Sequence, residues 1–586
     1  MKKLISVAPF IAAGILFAAG AAVLLWWGSS CNAWIIRSQL QRISPLFLEI
    51  AFGLLIIAAV LTIKHFKKVF SGISRKVWIV LLIVVASGLL MDIFVVPREH
   101  RVFYDEDIYE NIAQNIAFLN KSGMCNEGVN KYGTYQCLLL EYNKQPNAWP
   151  YLLSVVFRLF GVHETAAFLA NNMIYALSIV TAFLIGFLLF ESVVPGLYAA
   201  LIFALIPEGL MWSNTTAVEP GTVLFSGLTV LSTLLFVRTR DNTALFLVVV
   251  LSVFTVQFRT ESAIVMAVPA LIILLSCPQE FARGRFWFFL AVFFVLLLPH
   301  LIHLYAVRGE SWGASGPKLS LRYFAENFRV NSLFYIKNVR FPAFFTLLFG
   351  LGVLCNPGPA KQAEALSTRL RRTAAWLCAQ TFHWQSKTVV IVWFLVTWGI
   401  FLFFYAGSYN FGIDVRYSLV SHMPLSILAG YGAGTLGQWL RLRFKLQQGH
   451  AILCALILFS FCSFLPFIRA IGEEAWAARA DHRYAREMAE LLPDNSIVLT
   501  HNPNMFLVWG KSAAQASLVT ERPAYFRHFF NRYSGGVYFH YNFWCNVSDP
   551  LQNSFCSNIL ERFACTQLAS YTERDYTFGL YKIEKK

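Results

Sequence analysis

Runs of 17 or more mostly apolar residues recur along this 586-residue chain, and they constrain its fold more than any other feature. Inside a bilayer the backbone must satisfy its own N–H and C=O groups, and a continuous apolar segment of that length does so as an α-helix. Hydropathy places about thirteen transmembrane helices, near 4–27, 47–63, 77–97, 163–190, 194–212, 216–237, 242–258, 260–276, 286–305, 341–355, 388–406, 418–439 and 450–469. The expected fold class is an α-helical polytopic membrane protein. Mean hydropathy of +0.56, with 54 Phe and 16 Trp, is more apolar surface than a water-soluble domain needs.

A net charge of +16 would point to nucleic acid in a soluble protein, but here the basic residues sit in short connections. With the N-terminus (Lys2, Lys3) in the cytoplasm and sides alternating, the cytoplasmic loops hold Lys64, Lys67, Lys68, Arg75 and Lys76. They also hold Arg238, Arg240, Arg283 and Arg285, then Lys361, Arg369, Arg371, Arg372 and Lys387, then Arg441, Arg443 and Lys445. This is a positive-inside pattern, so the basic excess is topological and no nucleic-acid partner is expected. The first span reads as a retained anchor, since no convincing small-residue cleavage site follows it.

The same alternation places 98–162, turns near 213–216 and 257–261, loops 306–340 and 407–417, and the tail 470–586 outside. Five of the eleven cysteines fall in the two large outer segments: Cys125 and Cys137 in one, Cys545, Cys556 and Cys565 in the other. An oxidising compartment permits a Cys125–Cys137 bridge and one bridge in the tail, with one thiol spare.

Three regions follow. Residues 1–76 hold two additional N-terminal spans, 77–470 form the main transmembrane module with its outer loop at 98–162, and 471–586 form a small C-terminal extracytoplasmic α/β domain. In that tail "HRYAREMAELLP" is helical, while "NSIVLTHNP", "GGVYFHYNFW" and "YTFGLYKIE" are strand-like. In the outer loop, "DEDIYENIAQNIAFL" spaces Ile108, Ile112, Ile116 and Leu119 along one face of an amphipathic helix, with three acids in its first turn. "NAWPYLLSVVFRLFG" (147–161) reads as a second helix lying in the membrane interface, Trp149 and Tyr151 at headgroup level.

Charged residues then gather on the outer side. Asp105, Glu106 and Asp107 follow a span directly; alone they would be a helix cap and dipole partners. Arg259 and Glu261 interrupt two spans with almost no loop between, where an ion pair at a tight turn is the ordinary explanation. Glu219 opens a span, as a first-turn acid does. Asp414, Arg416 and Tyr417 occupy another outer position, and Lys144 a further one, where a snorkelling lysine is unremarkable. His300 and His303 lie three apart, too few for a metal site by themselves. Together they put carboxylates and cations on one membrane face. A carboxylate there can accept a proton from an acceptor hydroxyl, and arginines can hold a phosphate by paired hydrogen bonds. Walker, Rossmann and HExxH motifs are absent, which argues against cytosolic nucleotide chemistry.

The order of these pieces resembles the GT-C superfamily of integral membrane glycosyltransferases, in the branch that contains protein O-mannosyltransferases and lipid A aminoarabinose transferases. "YDEDIYENIAQNIA" resembles that branch's first outer loop, and "KQPNAWPYLLSVVFRLFG" its "(K/H)xPxxxxLLxxxFxLFG" segment. "NTTAVEPGTVLFSG", "FRTESAIVMAVPALIILL" and "VRYSLVSHMPLSILAGYGAG" follow in order, so the resemblance covers roughly 77–440. It implies inverting transfer of a sugar from a polyprenyl-phosphate donor to a lipid, glycan or protein acceptor. By position Asp105 would be the base, Glu106 its partner and Glu219 a second acid near the sugar. Lys144, Arg259, Glu261, Arg416 and Tyr417 would bind the donor phosphate or substrate. No cofactor is implied for this branch, although more distant members use a divalent metal and the acid cluster leaves that open. Two spans precede the loop that is the first outer loop in relatives, and Asn147 and Ala148 stand where relatives carry bulkier residues. The expected location is a bacterial inner membrane, with active site and C-terminus periplasmic and N-terminus cytoplasmic. A lipid or solute transporter is the reading from another class, but neither internal repeats nor broken midplane helices are visible in the sequence. A non-catalytic binder of lipid-linked sugar is a third.

Overall fold

The computed structural model describes residues 2–30, 32–131, 133–311, 313–337, 340–355, 384–410, 413–443 and 447–586. Lys361, Arg369, Arg371, Arg372 and Lys445 of the basic-loop pattern lie outside the described residues.

Each expected span coincides with an apolar helix, but fewer than thirteen are full-length. Among the described residues, 8 helices are long and apolar enough to cross a bilayer, or 9 if the bent pair Val193–Ala204 and Pro207–Ser213 is one span. That pair turns through 64° where Pro207 starts the second helix; proline supplies no N–H to continue the first. Shorter apolar helices, Asn242–Phe258, Thr260–Ser276 and Ala343–Leu354, account for other expected spans. Hydropathy registers their apolar content, not their length. Leu25, Trp26, Leu82 and Phe94 lie exposed on the N-terminal spans, a surface suited to lipid. The chain is an integral membrane protein.

Three enclosed helices back the site: Glu164–Phe190, Glu219–Thr239, which begins with Glu219, and Leu419–Arg443, which follows the turn holding Arg416 and Tyr417. Gly430 lets Leu419–Arg443 cross close to Val193–Ala204: a Cβ there would stand 2.5 Å from the Pro195 carbonyl oxygen.

The seven-stranded sheet joins the tail to the outer loop. Its strands are β1 (Met124–Lys131), β2 (Thr134–Glu141), β3 (Ile497–Thr500), β4 (Ser512–Gln515), β5 (Val537–Tyr541), β6 (Phe563–Glu573) and β7 (Tyr576–Lys585). The order is β2-β1-β4-β3-β5-β7-β6, with β3 parallel to β4 and β5 and the other pairs antiparallel. The hairpin β1–β2 was not expected from the sequence; its alternation is weak, and its partner β4 lies almost 400 residues away. Disulfides join Cys125 to Cys137 across the hairpin and Cys545 to Cys556 in the tail, leaving Cys565 as a thiol.

Two features of the outer loop depart from what an amphipathic helix and an interfacial helix would ordinarily show. The polar face of the Asp105–Leu119 helix is not wet: Asp107, Glu110, Asn111, Gln114 and Asn115 are all buried, between the loop's own hairpin and the tail. Gln114 Nε2 donates to the Leu507 carbonyl at 3.3 Å, and Asn502 Nδ2 to Asp107 Oδ2 at 2.8 Å. In the Ala148–Phe160 helix, Trp149 and Tyr151 are fully buried instead of sitting at headgroup level. Trp149 Nε1 donates to the Thr216 carbonyl at 2.8 Å, so the indole serves an internal turn.

Candidate active site

Asp105 begins its helix immediately after Tyr104, which is left-handed at φ 56°. A non-glycine residue in that conformation is held there by its surroundings. Phe103 packs on Phe543, and Asn542 Nδ2 donates to the Tyr104 hydroxyl at 3.1 Å. The tail thus fixes the turn that aims Asp105.

Asp105, Lys144, Arg259, Glu261, Arg416 and Tyr417 line one cavity of about 120 Å³, with Tyr109, Gln145 and Phe404. Each arrives from a different local device. Lys144 sits in a turn that Asn143 closes, its Oδ1 accepting from the Gln145 N–H at 3.0 Å. Arg259 is extended at the break between Asn242–Phe258 and the 3-10 turn Thr260–Met266, which frees both it and Glu261 from regular helix. Arg416 and Tyr417 lie in a 3-10 turn leading into Leu419–Arg443. Asn327 Nδ2 donates to the Phe404 carbonyl at 2.9 Å and anchors the facing loop.

Glu219 lies behind the cavity wall, where its Oε1 accepts from Arg259 and stands 3.4 Å from Arg416 Nε. Arg259 also bonds Glu261, the ordinary ion pair that the sequence allowed. Arg416 Nη1 stands 3.7 Å from Asp105 Oδ2. Arg416 therefore faces Asp105 and Glu219, and makes no ion pair with Asp414 among the described residues. Both guanidiniums lie over the Tyr417 ring, at 5.0 and 5.2 Å from its centroid. The ring stacks on Phe401, which braces it. Lys144, Arg259 and Arg416 thus match Asp105, Glu219 and Glu261 in charge. The Asp105 side chain keeps 30% exposure, directed at this cavity. Burial dominates its titration and raises the carboxyl; Arg416 opposes that, Glu219 adds to it, and Arg259 and Lys144 oppose it less.

Glu106 does not reach the cavity. Its Oε1 accepts from the Arg101 and Val102 N–H groups at 2.7 and 2.9 Å, and its Oε2 from the Thr216 N–H and hydroxyl at 2.8 and 3.1 Å. It ties the 101–106 entry to the turn that leads to Glu219. A carboxylate that the sequence did not single out holds the same turn: Asp92 accepts from Asn172 Nδ2 at 2.7 Å and from the Ser213 hydroxyl at 2.8 Å. A lone acid inside an apolar span was the available signal. Tyr109, one helical turn from Asp105, was also legible in principle by spacing. His300 and His303 are buried apart from the cavity, and His303 bonds the Tyr142 hydroxyl.

Residues 144–303 match the family Dolichyl-phosphate-mannose-protein mannosyltransferase, a segment that begins at Lys144 and includes Glu219, Arg259 and Glu261. Among solved structures, ArnT from Cupriavidus metallidurans bound to undecaprenyl phosphate is 12% identical, with a TM-score of 0.50 over 87% of this chain and 98% of that one. The same protein in its apo state gives 12% and 0.50 over 86% and 97%. Archaeal oligosaccharyltransferase AglB from Archaeoglobus fulgidus, in complex with an inhibitory peptide and a dolichol-phosphate, gives 11% and 0.49 over 87% and 74%. No curated protein sequence matches the chain. The chain thus shares its overall fold with ArnT, and residues 144–303 within it match the mannosyltransferase family model.

Proposed function

We propose that this protein transfers a sugar from a polyprenyl-phosphate donor to an acceptor hydroxyl or phosphate at the outer face of a bacterial inner membrane, with inversion at the anomeric carbon. The cavity, its C-terminal domain and the sheet would then be periplasmic. One observation carries the reading: a carboxylate with 30% exposure, Asp105, shares a small cavity with Arg259, Arg416 and Lys144. Asp105 takes the acceptor proton as the acceptor oxygen attacks the sugar carbon. The bond from that carbon to the donor phosphate breaks, and the lipid phosphate leaves with the electron pair. Arg259 and Arg416, already aligned over Tyr417, stabilise that phosphate by charge-assisted hydrogen bonds. Glu219 and Glu261 keep the guanidiniums in place before the donor arrives. Lipid, glycan and protein acceptors all fit this chemistry.

The test uses purified protein, radiolabelled polyprenyl-phosphate sugars and extracted envelope acceptors. Asp105→Asn should lower transfer by about 10²–10⁴-fold, the usual worth of a positioned base, while donor binding persists. Wild-type turnover in that variant would remove Asp105 from the role. Label crossing a vesicle membrane without bond transfer would replace the reading with transport.

A further inference from the structure

On the far side of the Asp105 turn lies a second buried cluster that sugar transfer does not use. His100, Asp107, Glu164 and His482 each offer one ligand atom, and the four atoms lie within 4.8 Å of one another. They come from four places: the entry to the outer loop, the Asp105–Leu119 helix, the first residue of Glu164–Phe190, and the tail helix Trp476–Glu490. We propose that this cluster is a structural binding site for a divalent transition metal of the zinc type, which fastens the C-terminal domain to the loop that presents Asp105.

Three observations support it. His100 Nδ1 to Asp107 Oδ1 is 3.5 Å, His482 Nε2 to Asp107 Oδ1 is 3.7 Å, and His482 Nε2 to Glu164 Oε1 is 2.7 Å. The edge of a tetrahedron with zinc–nitrogen and zinc–oxygen bonds is about 3.4 Å, so small side-chain rotations close the set. The two imidazoles stack at 4.1 Å with an interplanar angle of 19°, and both present a ring nitrogen to Asp107 Oδ1.

The second observation is what an ion pair leaves unexplained. His482 with Glu164 accounts for two members, but His100 is 4% exposed and both its ring nitrogens are buried with no hydrogen-bond partner among the described residues. A buried imidazole with neither nitrogen satisfied is costly. Metal on Nδ1 resolves it, because Nε2 then points to Glu110 Oε1 at 3.8 Å, an oxygen that is also buried without a hydrogen bond. Carboxylate behind histidine behind metal is the usual outer arrangement of such sites. Asn502 Nδ2 occupies Asp107 Oδ2 and leaves Oδ1 to the centre, and Trp509 Nε1 orients Glu164 Oε1 from 2.6 Å.

The third is charge and room. Asp107, Glu110 and Glu164 share this pocket with His482, and Arg486 reaches only Glu164 Oε2, at 3.9 Å. A cavity of about 10 Å³ borders His100, Asp107 and His482. Two imidazoles and two carboxylates suit zinc and exclude a calcium-type all-oxygen site.

The experiment is metal analysis of the untagged full chain in detergent. About one Zn²⁺ per chain is expected, with the content falling about tenfold or more in His100→Ala. That variant leaves the His482–Glu164 pair intact, so an ion-pair cluster predicts no change. Glu164→Gln is the second variant, should His100→Ala fail to fold. Chelator-treated protein should regain its thermal midpoint with Zn²⁺ but not with Mg²⁺, and Co²⁺ should give the visible bands of a tetrahedral site. Wild-type protein without transition metal and without a thermal response to Zn²⁺ overturns the proposal. Equal Zn²⁺ in the wild type and both variants overturns it as well.

Discussion

Asp105 and Glu106 are neighbours in sequence, and adjacent residues on a helix point about 100° apart. That rotation separates their work: Asp105 faces the cavity, and Glu106 faces four donors of the 101–102 and 216 backbone and the Thr216 side chain. The resemblance made Asp105 the base and Glu106 its partner; spacing alone does not say which one turns inward, because one residue of difference in helix start exchanges them. Glu106→Gln replaces one acceptor oxygen with a donor that faces donors. It should cost about 1–3 kcal/mol of stability, read as a lower thermal midpoint in detergent, whereas Asp105→Asn should barely move the midpoint. If Glu106→Gln keeps the wild-type midpoint and loses transfer, Glu106 acts on substrate after all. For the guanidiniums the readout is equilibrium binding of a radiolabelled donor. A charge-assisted hydrogen bond is worth about 1.5–3 kcal/mol, so Arg259→Ala or Arg416→Ala should each weaken donor binding about tenfold or more. Wild-type affinity in both would end the phosphate role.

Elements were legible where one property set them. Apolar content placed the spans without fixing their lengths, and i, i+3, i+4 spacing placed the Asp105–Leu119 helix with Ile112 and Ile116 in the core. The sheet was half legible: β3, β5 and β7 carry β-branched and aromatic runs, while β1 ("MCNEGVNK") and β4 ("SAAQ") do not. Their pairing is decided by packing. Gly128 in β1 pairs with Ala513, and a Cβ on Gly128 would stand 2.5 Å from Leu507 Cδ2. Leu507 belongs to the short helix that covers the Asp105–Leu119 helix, and its carbonyl accepts from Gln114. Gly128→Val should therefore push the hairpin off the tail, lowering transfer without touching any cavity residue. Hydrogen exchange would show it as faster exchange at β1 and β4, with the transmembrane helices unchanged. Unaltered exchange in that variant would mean the sheet tolerates the side chain and the hairpin contact does not steady the site.

At the scale of the whole molecule, the tail closes the polar side of the outer loop. Sequence reading treated residues 471–586 as a small α/β domain of its own because helix- and strand-like segments follow one another there after the last span. Contacts between residues hundreds of positions apart leave no periodic trace, so the seam itself was invisible. The structure puts Arg101 there, 1% exposed, with Nη2 donating to the Ile471 carbonyl at 3.0 Å and its guanidinium 5.2 Å from the Trp212 ring. Gln114 lies on the same seam, its Nε2 on the Leu507 carbonyl. Beside it the loop's own hairpin is tied to the helix: Asn115 Nδ2 donates to Asn111 Oδ1 at 3.1 Å, and the Tyr135 hydroxyl donates to Asn115 Oδ1 at 2.7 Å. A chain ending at residue 475 keeps every span and every cavity residue, but removes the tail partners of Gln114, Asp107 and the left-handed Tyr104. Water would then compete for hydrogen bonds that the tail now shields, and the loop should open locally. Trypsin should cut such a chain after Arg101, which the full chain buries, and donor transfer should fall with that exposure. A tryptic map identical to that of the full chain, with transfer retained, would show that the loop holds Asp105 without the tail.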